Sequence, residues 1–224
     1  MKVSQDEPIE IIRSKKYVFY FLGILSLFVA FRSYTIGGPG TTALVWYFFP
    51  NISFEEGIAY FSYIGVIARL GGFVSLFVQK FADKIGRKPI LIFVSLILTL
   101  MPLLQILTTS LIIYTISAFF IVMAANINIW MIYINEESPQ GKNALWSTFI
   151  LIIGITGQAL FYLIRPFFIT NDKMFTILHW KFLFFFSVII GTIVTLILIF
   201  TIKETAAYDF KFKFYKDDKK SRID

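Results

Sequence analysis

Six long hydrophobic segments dominate this sequence and restrict what it can fold into. Each is close to the roughly 20 residues that an α-helix needs to cross a bilayer. The segments cover approximately residues 17–36, 57–78, 89–107, 110–134, 144–168 and 182–202. They are too long and too uniformly apolar for barrel strands, and lipid offers no partner to an unpaired peptide group, so all six are predicted to be helices. The sequence therefore predicts an all-α integral membrane protein with six transmembrane helices.

The composition favours the same class. Only 16% of the 224 residues are charged and the mean hydropathy is +0.74, whereas about a quarter of a soluble globular chain is charged. The net charge of +7 would suggest a nucleic-acid partner in a soluble protein. Here the basic residues lie between hydrophobic segments, so membrane topology explains them and no nucleic-acid partner is expected. The chain has no cysteine, which excludes disulfides, thiolate metal sites and a cysteine nucleophile.

The distribution of basic residues predicts the orientation. With the N-terminus in the cytoplasm, the cytoplasmic segments contain sixteen Lys and Arg and the external ones three, as the positive-inside bias requires. We therefore expect a cytoplasmic tail at 1–16, a six-helix bundle at 17–203 and a charged cytoplasmic tail or central loop from 204 to 224, in the plasma membrane. The fourth segment could instead end near Asn126 and Asn128, but a five-span count would sort these charges badly.

The densest charge cluster, FADKIGRKPI at 81–90, lies in the turn between the second and third segments. Gly86 permits a sharp turn, Asp83 places a carboxylate where it could face a helix N-terminus, Arg87 offers a planar fork to another carboxylate, and Lys88 faces the headgroups. The order of these residues resembles the D-R/K-x-G-R-R/K signature of the major facilitator superfamily. The resemblance implies two six-helix halves, of which this chain corresponds to the first.

Four further stretches are similar to motifs of the sugar-porter and metabolite–proton symporter branches, in the same order along the chain. They are ARLGG at 68–72, YINEESP at 133–139, HWK at 179–181 and KET at 203–205. The chain also departs from the family pattern. Gln79 replaces the first glycine of the charged signature, no arginine lies near Ile116 and Ser117 in the fourth helix, and Gln158 stands where the antiporter motif has proline. The resemblance therefore argues against antiport by that mechanism and leaves proton symport open.

Two cations and three amides within the predicted spans are candidates for substrate contact. Arg69 lies near mid-depth, where a charge costs about 2.5–3.5 kcal/mol, and should face the bundle interior or an aqueous cavity. Arg32 is nearer the outer surface, where snorkelling is an alternative. Asn126 and Asn128 cannot face the same direction, and each, like Gln158, could bind substrate or form an interhelical hydrogen bond.

The resemblance implies a secondary active transporter that moves a small solute, such as a sugar or an organic acid, by alternating access. It also implies a gating charge network at the cytoplasmic side, comprising Asp83, Gly86, Arg87, Lys88, Glu136 and Glu204. Substrate and lipid are the expected partners, and a second six-helix half is expected as a separate chain, a homodimer partner or the rest of a longer protein. A non-transporting scaffold or an inactive fragment is the alternative. No motif indicates an enzyme, a metal or a cofactor.

Overall fold

The computed structural model describes residues 17–36, 41–138, 141–205 and 208, and within them every regular element is helical. In α1 the described side chains are those of Tyr20 and of residues 22–31. The helices are α1 (Tyr17–Ile36), α2 (Thr41–Phe48), α3 (Phe54–Arg69), α4 (Gly71–Ile85), α5 (Arg87–Leu107), α6 (Leu111–Ala125), α7 (Ile129–Glu137), α8 (Asn143–Ile164) and α9 (Lys173–Thr201). A 3-10 turn, Arg165–Phe167, extends α8.

Five helical stretches among the described residues are long and apolar enough to cross a membrane. They are Phe54–Ile85, Arg87–Leu107, Leu111–Glu137, Asn143–Phe167 and Lys173–Thr201. The remaining predicted span, the first along the chain, is α1, a helix of 20 residues and hence about 30 Å long. The structure thus has the predicted all-helical membrane architecture.

Two predicted boundaries were wrong because polar caps start these helices ahead of the apolar runs. The second span begins at Phe54 rather than near residue 57, since the Ser53 hydroxyl accepts a hydrogen bond from the Glu56 amide at 3.3 Å. The last span begins at Lys173 rather than near residue 182, because the Asp172 carboxylate accepts from the Met174 and Phe175 amides. Such caps satisfy the amides that a helix leaves unpaired in its first turn.

Two of the membrane-spanning stretches are interrupted close to their middle. At Leu70, α3 passes into α4, and the Gly71 backbone lies directly against the backbone of α6 at Phe119 and Met123. At residues 126–128, α6 passes into α7, and the Asn126 side-chain amide donates to the Val122 carbonyl at 2.8 Å. An amide that hydrogen-bonds its own backbone in this way competes with continuation of the helix. The fourth span nevertheless continues to Glu137, so it does not end near Asn126 and Asn128.

Close backbone contact and buried hydroxyls fix how the helices pack. Helix α8 lies so near α1 that a Cβ atom at Gly157 would overlap the Leu27 backbone. Helices α5 and α9 are joined by a hydrogen bond of 2.6 Å between the Ser95 and Thr195 hydroxyls, and both residues are buried. Small residues and hydroxyls are typical of helix interfaces in lipid, where apolar burial alone provides little drive for association.

Helix α2 is an element that the hydrophobicity pattern did not predict. It packs at the end of the bundle opposite the α4–α5 turn. There the ring centroids of Phe48 and Tyr114 are 5.3 Å apart, and those of Tyr47 and Trp180 are 5.2 Å apart. We call the end that carries the α4–α5 turn the inner end and the opposite end the outer end. The aromatic contacts of α2 therefore close the outer end of the core.

The bundle is buried unevenly, which leaves two apolar faces uncovered. In its most apolar stretch, α5 has 50% of its residues buried, whereas the α3–α4 span has 28% and the α8 span 22%. Large side chains on these two spans are exposed, including Tyr63, Phe73, Ile155 and Leu163. In a membrane such surfaces contact either lipid or another group of helices.

Candidate functional site

The inner end holds a compact charge network centred on Arg87. Two nitrogens of its guanidinium bind the Glu136 carboxylate. Nε lies 3.1 Å from each carboxylate oxygen, and Nη2 lies 2.7 Å from Oε1. Nη1 donates to the Ala82 carbonyl at 2.9 Å. Only 12% of the Arg87 side chain and 18% of that of Glu136 is exposed. Bidentate pairing in a largely dry setting gives this contact both strength and a fixed geometry.

Glu204 binds the start of α5. Its carboxylate accepts from the backbone amides of Arg87 at 2.7 Å and Lys88 at 3.2 Å. The amides at a helix N-terminus are unpaired and carry partial positive charge, so a carboxylate is favourable there. Gly86, which precedes the helix, has φ +114°, and a Cβ atom at this position would overlap the Glu204 carboxylate. Glycine is therefore required both by the backbone conformation and by the approach of Glu204.

Asp83 and Lys88 lie at the periphery of this network. The Asp83 carboxylate lies 3.1 Å from Arg87 Nη2, but 65% of its side chain is exposed. Lys88 contributes its backbone amide to Glu204, and its side chain is half-buried. The structure thus brings together all six residues that the sequence assigns to the network, with Arg87, Glu136 and Glu204 at its centre.

Two members of the cluster were missed by the sequence analysis. The buried Thr205 hydroxyl donates to Glu136 Oε2 at 2.6 Å. The Tyr208 hydroxyl donates to the Lys84 carbonyl at 2.9 Å, and its ring lies 5.5 Å from the Arg87 guanidinium carbon. Thr205 belongs to the KET stretch at 203–205, which could have indicated it. Tyr208 is separated from Lys84 by 124 positions, and no local pattern predicts such a contact.

A second candidate region is a depression of about 220 Å³ near the middle of the bundle. It lies between α1, α8 and the α6–α7 interruption. Its polar lining consists of Ser26, Asn128 and Gln158, and Trp130 adds an aromatic side chain. Its remaining lining residues are Val29, Ala30, Ala125, Leu151, Gly154 and Ile155. The depression therefore offers amide and hydroxyl groups on an otherwise apolar surface and contains no charged side chain.

The other candidates lie elsewhere. Arg69 ends α3 and is exposed on the uncovered α3–α4 face instead of being enclosed by the six helices. Asn126 faces that same side: its carbonyl accepts from Gln79 Nε2 at 3.4 Å, and its side-chain amide lies beside Gly72. Asn126 and Asn128 thus point to different regions, as the sequence required. The side chain of Arg32 lies outside the part of the chain that is described.

No metal site is indicated among the described residues, since no three His, Asp or Glu side chains lie close enough together to hold an ion. Polar capture of a small molecule, by the depression or by the Arg69–Asn126 region, is the chemistry that these residues offer. The inner network instead holds helix ends together, because its carboxylates are already hydrogen-bonded to Arg87, Thr205 and the α5 amides.

Known proteins place the chain in a transporter family. The profile of the sugar (and other) transporter family matches residues 18–223. The structure is similar to the crystal structure of a D-xylose-proton symporter, with TM-score 0.72 and 14% identity, covering 92% of this chain and 53% of that one. It is also similar to the inward-open xylose transporter XylE from E. coli, with TM-score 0.73 and 14% identity, covering 86% of this chain and 48% of that one.

A comparison with curated protein sequences found no match. The chain spans about half the length of the two solved transporters, and at 14% identity the similarity to them establishes the fold alone. The family profile, by contrast, covers nearly the whole sequence, including both ends of the inner charge network. The chain therefore belongs to the sugar (and other) transporter family, as a six-helix half of the major facilitator fold.

Proposed function

We propose that the chain is one half of a secondary active transporter that moves a small solute such as a sugar or an organic acid across the plasma membrane. The observation that carries this proposal is the depression between α1, α8 and the α6–α7 interruption. Interrupted helices near mid-depth are where transporters of this general kind bind their solutes. The family assignment and the location of the depression support the same function independently.

The polarity of the depression favours a hydroxyl-bearing solute. Asn128 and Gln158 provide amides that both donate and accept hydrogen bonds, while apolar side chains make up most of the remaining lining. An anionic solute would be better served by Arg69, which lies on another face. We therefore rank Asn128 and Gln158 first as binding residues and keep Arg69, Arg32 and Asn126 as contacts available once the cleft is closed by other helices.

A second six-helix half completes this function. The uncovered α3–α4 and α8 faces support it, since they are the least buried of the five spans measured, and so does the length of the solved transporters, about twice that covered by this chain. Both termini lie in the cytoplasm in this proposal, because the inner end contains the basic turn at 80–88 and basic residues favour the cytoplasmic side. The inner charge network then holds the cytoplasmic side closed in one access state.

Uptake by proteoliposomes tests the function. The chain, supplied with its second half, is reconstituted and radiolabelled xylose or another pentose is offered. Asn128→Ala and Gln158→Ala are each expected to reduce uptake at low substrate about tenfold, since each removes a hydrogen-bonding group from a largely apolar site. Asn135→Ala is the matched control, because Asn135 is an exposed amide at the inner end. Uptake unchanged by both substitutions would exclude the depression as the binding site.

The gating role needs a different measurement. The chain has no cysteine, so a single cysteine introduced at Ile155, which lines the depression, reports access from either side of the membrane. In the assembled transporter, Arg87→Ala and Glu136→Gln should increase labelling from the cytoplasmic side, because each breaks the bidentate pair. If neither variant alters labelling or uptake, the network only stabilises the packing of the helix ends and has no part in gating.

A further inference from the structure

The segment that follows α9 contacts the inner ends of three other helices. The Lys203 carbonyl accepts from the Tyr133 hydroxyl of α7 at 2.9 Å. The Glu204 carboxylate binds the start of α5, and the Tyr208 hydroxyl binds the last turn of α4 at Lys84. We call residues 203–205 and 208, which the structure describes, the strap. One short segment thus connects α4, α5 and α7 to the end of α9.

Within the strap, Tyr208 presents the face of its ring to the Arg87 guanidinium. Glu136 binds the guanidinium along its edge through Nε and Nη2, and the Tyr208 ring lies 5.5 Å from the guanidinium carbon. An aromatic ring at this distance attracts the cation and covers it from water. The phenol group is meanwhile anchored to the Lys84 carbonyl. Tyr208 therefore binds α4 and orients the Arg87 side chain of α5 at the same time.

We propose that Tyr208 is a positioning residue that makes the strap a releasable latch on the inner end of the bundle. With Tyr208 seated, Arg87 is held in the plane that suits bidentate binding of Glu136, and α4, α5 and α7 stay together. With Tyr208 withdrawn, Arg87 loses its cover and α4 loses its anchor, so the α4–α5 turn separates from α7. Tension or binding along the chain after residue 208 would reach the inner end first through this side chain, before the contacts of Glu204 and Thr205.

The latch rests on the proposed function only for its consequence in transport, since the contacts themselves lie within this chain. Distances between spin labels can therefore be measured on the chain alone in lipid nanodiscs. Labels at Ile85 and Asn135, which are exposed at the inner ends of α4 and α7, report separation of the two helix ends. Three variants are compared with the unmodified chain: Tyr208→Phe, Tyr208→Leu, and Tyr162→Leu as the control, because Tyr162 is an exposed tyrosine on α8.

The unmodified chain should give one dominant short distance. Tyr208→Phe keeps the ring over Arg87 but loses the bond to Lys84, so the separated population should rise about fivefold. Tyr208→Leu loses both contacts, and the rise should be about tenfold or more. In an Arg87→Ala background, Tyr208→Leu should add no more than Tyr208→Phe does, because the ring no longer has a cation to cover. A role in packing alone would not produce this dependence on Arg87.

Two results would overturn the latch: a distance distribution unchanged by Tyr208→Leu, or the same change in the Tyr162→Leu control. Uptake by the assembled transporter is a separate measurement. If the distances change as expected but no tested variant or solute gives uptake, the transport proposal fails while the latch is supported. If uptake is present and the distances do not respond, the latch fails and the transport proposal is unaffected.

Discussion

Removing Arg87 should destabilise the isolated chain through its pair with Glu136, and the structure sets the size of the effect. Exposed ion pairs contribute about 0.2–1 kcal/mol, whereas removal of one partner from a fully buried pair costs about 3–5 kcal/mol. Arg87 and Glu136 lie between these limits but nearer the buried one, with 12% and 18% of their side chains exposed. We therefore expect Arg87→Ala to reduce the free energy of unfolding by about 2–3 kcal/mol.

The same reasoning predicts a much smaller effect for Asp83. Although its carboxylate also lies 3.1 Å from Arg87, its side chain is 65% exposed. Asp83→Asn should therefore cost about 0.5 kcal/mol or less. Arg69→Ala serves as a control for loss of a cation, since the Arg69 side chain is exposed on the α3–α4 face.

A double-mutant cycle isolates the pair from the other contacts of each residue. Unfolding is followed by tryptophan fluorescence, using the chain's four tryptophans, as the fraction of denaturing detergent in mixed micelles is increased. Arg87→Ala combined with Glu136→Ala should cost about 1–2 kcal/mol less than the two single losses together. Additivity within about 0.5 kcal/mol would show that the two residues act independently and would refute the central place given to the pair.

Two glycine substitutions should separate the effects of backbone conformation and helix proximity, both measured by the same unfolding assay. Gly86→Ala should cost about 1–3 kcal/mol, because φ is +114° and the new Cβ atom would displace Glu204 from the start of α5; a loss that persists unchanged in a Glu204→Ala background would show that strain alone is responsible. Gly157→Ala should cost about 1–3 kcal/mol by forcing α8 away from the Leu27 backbone of α1. Gly65→Ala is its control, since the space around Gly65 is open, and equal losses at the two positions would contradict the packing explanation.

Much of the architecture could be predicted from the sequence, because the membrane imposes it. An apolar segment of about 20 residues has no alternative to a helix in lipid, and the order DKIGRK at 83–88 indicated a tight turn. The structure brings Arg87, Glu136 and Glu204 together although the carboxylates lie 49 and 117 positions from Arg87. That prediction depended on the family resemblance, since spacing along the chain contains no information about contacts between distant turns.

The features that escaped prediction depend on local competition or on distant contacts. At the interruption at Leu70, Gly71 packs closely against α6, a contact that only the folded bundle reveals. Helix α2 has only eight residues and lies between glycine and proline residues. The sequence pattern therefore did not indicate a helix there. Its stability comes from aromatic contacts with α6 and α9 that form only in the fold.

The hydrogen bond between Ser95 and Thr195 bears on which parts of the molecule can move. Thr195 also donates to the Gly191 carbonyl of its own helix, so its oxygen remains available as the acceptor for Ser95. Sliding α9 past α5 by one turn, about 5.4 Å, would break this hydrogen bond between two buried hydroxyls. We therefore expect α5 and α9 to move together as one unit. Under the proposed transport function, the rearrangements that expose a cleft to one side or the other are then expected in the interrupted helices and in α8.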